Sequence, residues 1–188
     1  MHTARARLQG MGTAVKTLSL EEYLSNPTYE HSEYVNGEVV ELNVGNLPHS
    51  SIQSVFVALL FNYLKANAIG RVFTEVRCRL TVGGRPRFFL PDVSVLLGPV
   101  PVETGYLDRA PDLVVEVRSP DDSVSELLRK MDEYFANGAR LAWLVLPEER
   151  AVLVLTPNAP VRTVTGSETL DGGDLLPGLQ IPLSELFA

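Results

Sequence analysis

The chain has 188 residues, 45% of them hydrophobic, enough for one domain with a sizeable core, and no shift in composition divides it in two. Its single cysteine, Cys78, excludes an internal disulfide and fits a reducing cytoplasm, and no run of ~20 apolar residues exists to form a membrane helix. A net charge of −7 argues against tight non-specific DNA binding by the whole surface, although carboxylates gathered around a metal would contribute to that sum.

In chain order, Met1 to Gly12 carries Arg5 and Arg7 but no apolar stretch, so it does not read as a secretory signal. A loose tail over residues 1–18 is expected, followed by one domain over 19–188. Ser19-Leu20-Glu21-Glu22 has the form of a capping box opening a short helix toward Ser25. Asn36-Gly37 between Glu33-Tyr34-Val35 and Glu38-Val39-Val40 signals a two-residue hairpin. From His49, the positions Ile52, Val55, Phe56, Leu59, Leu60 and Leu64 make one apolar face of a long helix that stops near Gly70.

Val72 to Val82 alternates as a strand, Gly83-Gly84 turns it, and Arg87 to Leu97 returns with Pro91 inside. Arg71, Arg77, Arg79, Arg85 and Arg87 all fall in this region. Sharing one rim, they would contact phosphates; a solvated hairpin face is the plainer alternative. Leu113 to Val117 is the most apolar strand and is expected to be central. Asp122 or Ser123 then caps a helix buried through Leu127, Leu128, Met131, Tyr134 and Phe135 and closed by Gly138. Leu141 to Leu146 and Ala151 to Thr156 read as strands across the Pro147–Arg150 turn, and the chain ends in a short helical turn. The class is α/β, a mixed sheet flanked by helices.

Two carboxylates interrupt the apolar strands: Asp92 in Pro91-Asp92-Val93-Ser94-Val95 and Glu116 in Val114-Val115-Glu116-Val117. An ionised carboxylate is costly to bury unless it is paired or holds a metal. The intervening stretch is long enough to bring the second onto a neighbouring strand. Two acids and a base at adjacent strand ends can hold Mg²⁺ and polarise a phosphate. Asp112 lies on the same face as Glu116 but ~13 Å away along the strand, so it caps the strand entry instead. Bases follow at Arg118 and at Lys130; the plain role for Lys130 is an exposed helix pair with Glu126. Cys78 has no partner at metal spacing, and no glycine-rich phosphate loop or Gly-x-Ser-x-Gly elbow is present.

An ordered set of residues goes further: Tyr29-Glu30, Gly37-Glu38, His49, Pro91-Asp92, the stretch from Pro111 to Pro120, Lys130, Tyr134, Gly138 and Trp143-Leu144-Val145. From about Tyr29 onward the chain resembles the PD-(D/E)XK nuclease superfamily, and within it a bacterial branch of restriction-endonuclease-like proteins. The resemblance implies the restriction-endonuclease-like fold and an Mg²⁺-dependent endonuclease acting on nucleic acid, DNA in the first instance, with Mn²⁺ able to substitute. Asp92, Glu116 and the Val117 carbonyl would hold the ion. Arg118 stands where the wider superfamily has its lysine, and in this branch the lysine is supplied from the next helix by Lys130. Glu38, His49, Arg118 and Tyr134 would support the site. A homodimer is expected because one site per chain cuts two strands most simply across a dyad. The alternative is a catalytically inactive module of the same fold that binds nucleic acid or a protein partner.

Overall fold

A computed structural model describes residues 17–42, 46–100 and 105–188. The expected tail lies outside these residues except at its end, and there Leu18 is already tied to the domain. Its N–H donates to the Gly37 carbonyl, and its own carbonyl accepts from the Tyr34 hydroxyl. The domain therefore includes Leu18. Helix α1 (Leu20–Ser25) starts as expected, with the Ser19 hydroxyl accepting from the Glu22 N–H. Strands β1 (Ser32–Val35) and β2 (Glu38–Glu41) form the hairpin that Asn36-Gly37 predicts. Both turn residues have positive φ, 55° and 90°, the twist such a hairpin needs. Helix α2 (Leu47–Asn67) begins slightly before His49, because Asn46 caps it by accepting the His49 N–H on its side chain.

The two long strands expected over 72–82 and 87–97 are each broken. β3 (Gly70–Thr74) pairs with β6 (Val93–Leu97) in one sheet, while β4 (Cys78–Val82) pairs with β5 (Arg85–Phe89) in another. The breaks face each other. Glu75 takes a left-handed φ of 49° on one arm, and Leu90-Pro91-Asp92 leaves the ladder on the other, where Pro91 has no N–H to give. The Glu75 N–H donates to the Pro91 carbonyl and ties them together. One long hairpin thus bends from a six-stranded sheet into a four-stranded one of order β2-β1-β5-β4. The crossing at Leu90–Asp92 is where the candidate site lies.

The same pairing separates the arginines. Arg79 sits opposite Phe88 and Leu80 opposite Arg87, which puts Arg79 and Arg87 on different faces. Arg79 reaches Asp108 at 3.2 Å, and Arg87 pairs with Glu133. They do not line one rim.

The larger sheet has the order β10-β9-β8-β7-β6-β3, with β7 (Leu113–Val117), β8 (Leu141–Leu146), β9 (Ala151–Leu155) and β10 (Arg162–Thr165). β7 is internal as expected, antiparallel to β6 and parallel to β8. The helix α3 (Val124–Ala136) fills the β7–β8 crossover. β11 (Thr169–Gly172) and β12 (Leu176–Pro182) form a separate hairpin before α4 (Leu183–Leu186). β10 to β12 were not expected. Arg162-Thr163-Val164-Thr165 buries only Val164, too little apolar alternation to read as a strand.

The pleat of β7 sorts its side chains. Leu113, Val115 and Val117 join the core under α2, where Phe56 stacks on Trp143 with ring centres 5.6 Å apart. Val114 joins the core under α3 with Met131, Tyr134 and Leu144. Each such large apolar side chain stabilises the fold by about 1.5–3 kcal/mol on burial. Glu116 alternates with Val115 and Val117, so it falls on the α3 face. No helix among the described residues is long and apolar enough to cross a membrane.

Candidate active site

Val93 pairs with Val115, so one step further along the register brings Asp92 opposite Glu116. Asp92 stands just outside the ladder, and its carboxylate takes the place of a strand partner: Oδ2 accepts the Val117 N–H at 2.7 Å. A charge-assisted bond of this kind is worth about 1.5–3 kcal/mol and fixes the carboxylate beside the end of β7. Gln53 holds the Asp92 backbone from α2, its Nε2 donating to the Asp92 carbonyl at 2.9 Å. His49, one turn earlier on α2, places Nε2 3.3 Å from Asp92 Oδ1. The hydrogen bond to Asp92 raises the His49 pKa above its ordinary value, against the opposing effect of burial. The buried Nδ1 of His49 has no hydrogen-bond partner among the described residues.

Glu116 is met from α3. Lys130 Nζ lies 2.9 Å from Glu116 Oε1, and the Tyr134 hydroxyl donates to the same oxygen at 3.1 Å. Lys130 and Tyr134 share a helix face one turn apart, so both reach the strand. The plainer alternative for Lys130, a surface pair with Glu126, does not form; Arg129 pairs with Glu126 instead, at 3.6 Å. Lys130 also reaches Glu33 Oε1 at 2.7 Å and sits over the Phe89 ring at 5.3 Å. Glu33 in turn accepts the Leu90 N–H at 3.0 Å, which anchors β1 to the crossing between sheets.

The electrostatics are unbalanced. Asp92, Glu116 and Glu33 meet one ammonium and one imidazole. Burial pushes the Glu116 carboxyl up to about 8; Lys130 opposes this, and Asp92 and Glu33 add to it. Burial lowers the Lys130 pKa, but Glu116 and Glu33 outweigh it and hold the ammonium charged well above its ordinary range. Desolvation, then the Glu116 charge, raise the Tyr134 phenol, which stays a neutral donor.

The donors suit a hard divalent cation. Lys130 and Tyr134 both meet Oε1 of Glu116, and among the described residues its Oε2 takes no hydrogen bond. Among the described residues no three His, Cys, Asp or Glu side chains close into a ready cage.

The other expected supporting residues lie further out. Glu38 pairs with Val35 beside the hairpin turn and is exposed. It makes no contact with the cluster among the described residues, and the place beside Lys130 belongs to Glu33. Sequence reasoning passed over Glu33, although it shares a strand face with Val35, which packs into the core under α3. Arg118, just past β7, gives its guanidinium to the β8–β9 turn, at 2.7 Å from Glu149 Oε1 and 3.5 Å from Glu148 Oε2. Asp112 lies at the opposite end of β7, as its spacing requires, accepting the Leu97 N–H at 2.9 Å and facing Arg109 at 3.1 Å.

A mixed sheet with an internal parallel pair, two acids at adjoining strand ends and a lysine supplied from the following helix define a protein of the restriction-endonuclease-like class. The chain matches the family Uma2, described as "Putative restriction endonuclease", over residues 20–184, and belongs to that family. It is also similar to a solved structure from Anabaena variabilis described as a "putative nuclease belonging to DUF820". The TM-score is 0.78 and the identity 27%, covering 90% of this chain and 97% of that one. No curated protein matches the chain.

Proposed function

We propose that this protein is a divalent-metal-dependent endonuclease that hydrolyses phosphodiester bonds in DNA. Family membership supports nuclease activity in general, and one observation carries the finer reading: Asp92 docks on the Val117 N–H directly beside the Glu116–Lys130–Glu33 cluster. Asp92, Glu116 and the Val117 carbonyl are the proposed ligands. Held there, Mg²⁺ or Mn²⁺ would supply positive charge for the phosphate oxygens and a water of lowered pKa. Lys130 directs that water toward the phosphorus, and Glu33 positions Lys130. Tyr134 steadies Glu116 by donating to Oε1, which leaves Oε2 for the ion. His49 and Gln53 hold Asp92 by its carboxylate and its carbonyl, and Arg118 takes a neighbouring phosphate once it exchanges its acidic partners.

The test is single-turnover cleavage of a labelled duplex and a labelled single strand in Mg²⁺, in Mn²⁺ and in chelator. Cleavage with either metal and none in chelator is expected. An inactive binding module draws support from Arg118 in the usual lysine position and from its pairing with Glu148 and Glu149. A parent that binds nucleic acid but cuts neither substrate would establish that reading.

The proposal includes a two-fold homodimer whose sites face one groove, because the two strands of a duplex are related by a dyad. Sedimentation should give twice the chain mass at micromolar concentration. A monomer at every concentration would restrict the enzyme to nicking or to single strands.

A further inference from the structure

A cavity of about 300 Å³ opens next to the cluster, and of its lining the proposed chemistry uses only Arg118. The chain itself joins the two. Pro48, on one wall, precedes His49 on α2, while Arg118 and Ser119, on another, follow directly from the end of β7 that carries Glu116. Pro120 and Pro147 add further apolar surface, and Glu148 stands at the edge. The volume lies at the small end of ligand-sized sites, comparable with one nucleotide unit. Proline rings present flat apolar faces with no N–H to leave unsatisfied, a surface against which a base can lie.

The charged wall has an unusual state. The Arg118 side chain is only 17% exposed, whereas Glu148 and Glu149, which hold it, are 65% and 48% exposed. Pairs with such exposed acids contribute little, and a phosphate offers a guanidinium the same fork of oxygens with more charge. The geometry points to a subsite for one unstacked nucleotide of the substrate strand next to the bond that is cut. Arg118 takes its phosphate, the three prolines take its base, and Glu148 with Glu149 holds the guanidinium until that phosphate displaces them. This assignment rests on the nuclease reading and names the substrate feature that the site selects: an unpaired nucleotide.

The experiment is fluorescence anisotropy with Ca²⁺ replacing Mg²⁺, using a single strand, a duplex with one unpaired nucleotide and a fully paired duplex. E148Q/E149Q should bind the first two about fivefold tighter than the parent and the paired duplex nearly unchanged. Adding Arg118→Ala to that variant should remove the gain. A free nucleoside 5′-monophosphate should compete only at far higher concentration than the strand. Both glutamates are on the surface, so folding is not at risk, and melting curves of all variants provide the check. Equal tightening on all three probes would mean that the acids merely repel nucleic acid, and would overturn the subsite. So would a gain that survives Arg118→Ala, or a monophosphate that competes as well as the strand. A parent that cuts DNA while the variants show no substrate difference removes the subsite and leaves the nuclease reading standing. A parent that neither binds nor cuts any probe removes both.

Discussion

Lys130→Ala should lower single-turnover cleavage by about 10³-fold, the scale of a lost proton-handling or water-directing group. It should also cost about 3 kcal/mol of stability in metal-free buffer, because Glu33 is left buried without the ammonium that lies 2.7 Å from it. These two losses respond differently to metal. Lys130 and the ion are two positive charges beside Glu116, so Mn²⁺ should raise the melting temperature of the variant more than that of the parent. Catalysis should not return, since the metal replaces the charge and not the directed amine. Lys130→Arg should fail as well. The ammonium fits between two carboxylates and over the Phe89 ring at 5.3 Å, a space in which a planar guanidinium overpacks. Urea unfolding with and without Mn²⁺, alongside cleavage of a labelled duplex, reads both effects. If Lys130→Ala cuts at the parental rate while Arg118→Ala is inactive, the arginine holds the lysine's role.

Much of this arrangement was legible in the sequence because it depends on local periodicity. The carboxylates in Val-rich runs, the helix face that carries Lys130 and Tyr134, and the Asn36-Gly37 turn all follow from spacing over a few residues. The break in the long hairpin did not. Val76 to Val82 alternates strictly, and the doubled Val72-Phe73 and Thr74-Glu75 before it are too short an interruption to show that the facing pair of Glu75 and Pro91 turns the hairpin from one sheet into another. Such a break is set by a contact between segments distant in the chain, which alternation does not encode. Glu33 was missed for a related reason. Its partner Lys130 is nearly a hundred residues away in the chain, whereas Glu38 was singled out by the family resemblance and not by any contact that spacing could show. The scattered arginines make the same point, since clustering in sequence within a strand divides side chains between two faces.

Glu116→Gln should abolish cleavage and the stabilisation by Mn²⁺ while making the protein more resistant to unfolding as pH rises. Glutamine keeps an oxygen for Tyr134 and Lys130 but is a poor ligand for a hard cation. The pH effect follows from the proton balance. The Glu116 carboxyl is raised to about 8 by burial, opposed by Lys130 and increased by Asp92 and Glu33, so between about pH 5 and 8 the folded state holds a proton that the unfolded chain has lost. The stability this group contributes is complete below that window and falls as pH rises through it, by at most about 1.4 kcal/mol per pH unit. The variant has no such group and loses that slope. His49, also raised, loses stability in the same direction as it deprotonates; its larger causes, the Asp92 hydrogen bond and burial, are common to parent and variant, and only the smaller effect of the Glu116 charge differs. Lys130 stays charged throughout the window in both. Urea unfolding at pH 6, 7 and 8 should therefore show the variant gaining on the parent at each step, by about 1–2 kcal/mol in total. Parallel pH curves would mean that Glu116 ionises as an ordinary carboxylate, with Lys130 fully compensating its burial. A variant that keeps the Mn²⁺ stabilisation would remove Glu116 from the metal site and leave Asp92 to hold the ion with other partners.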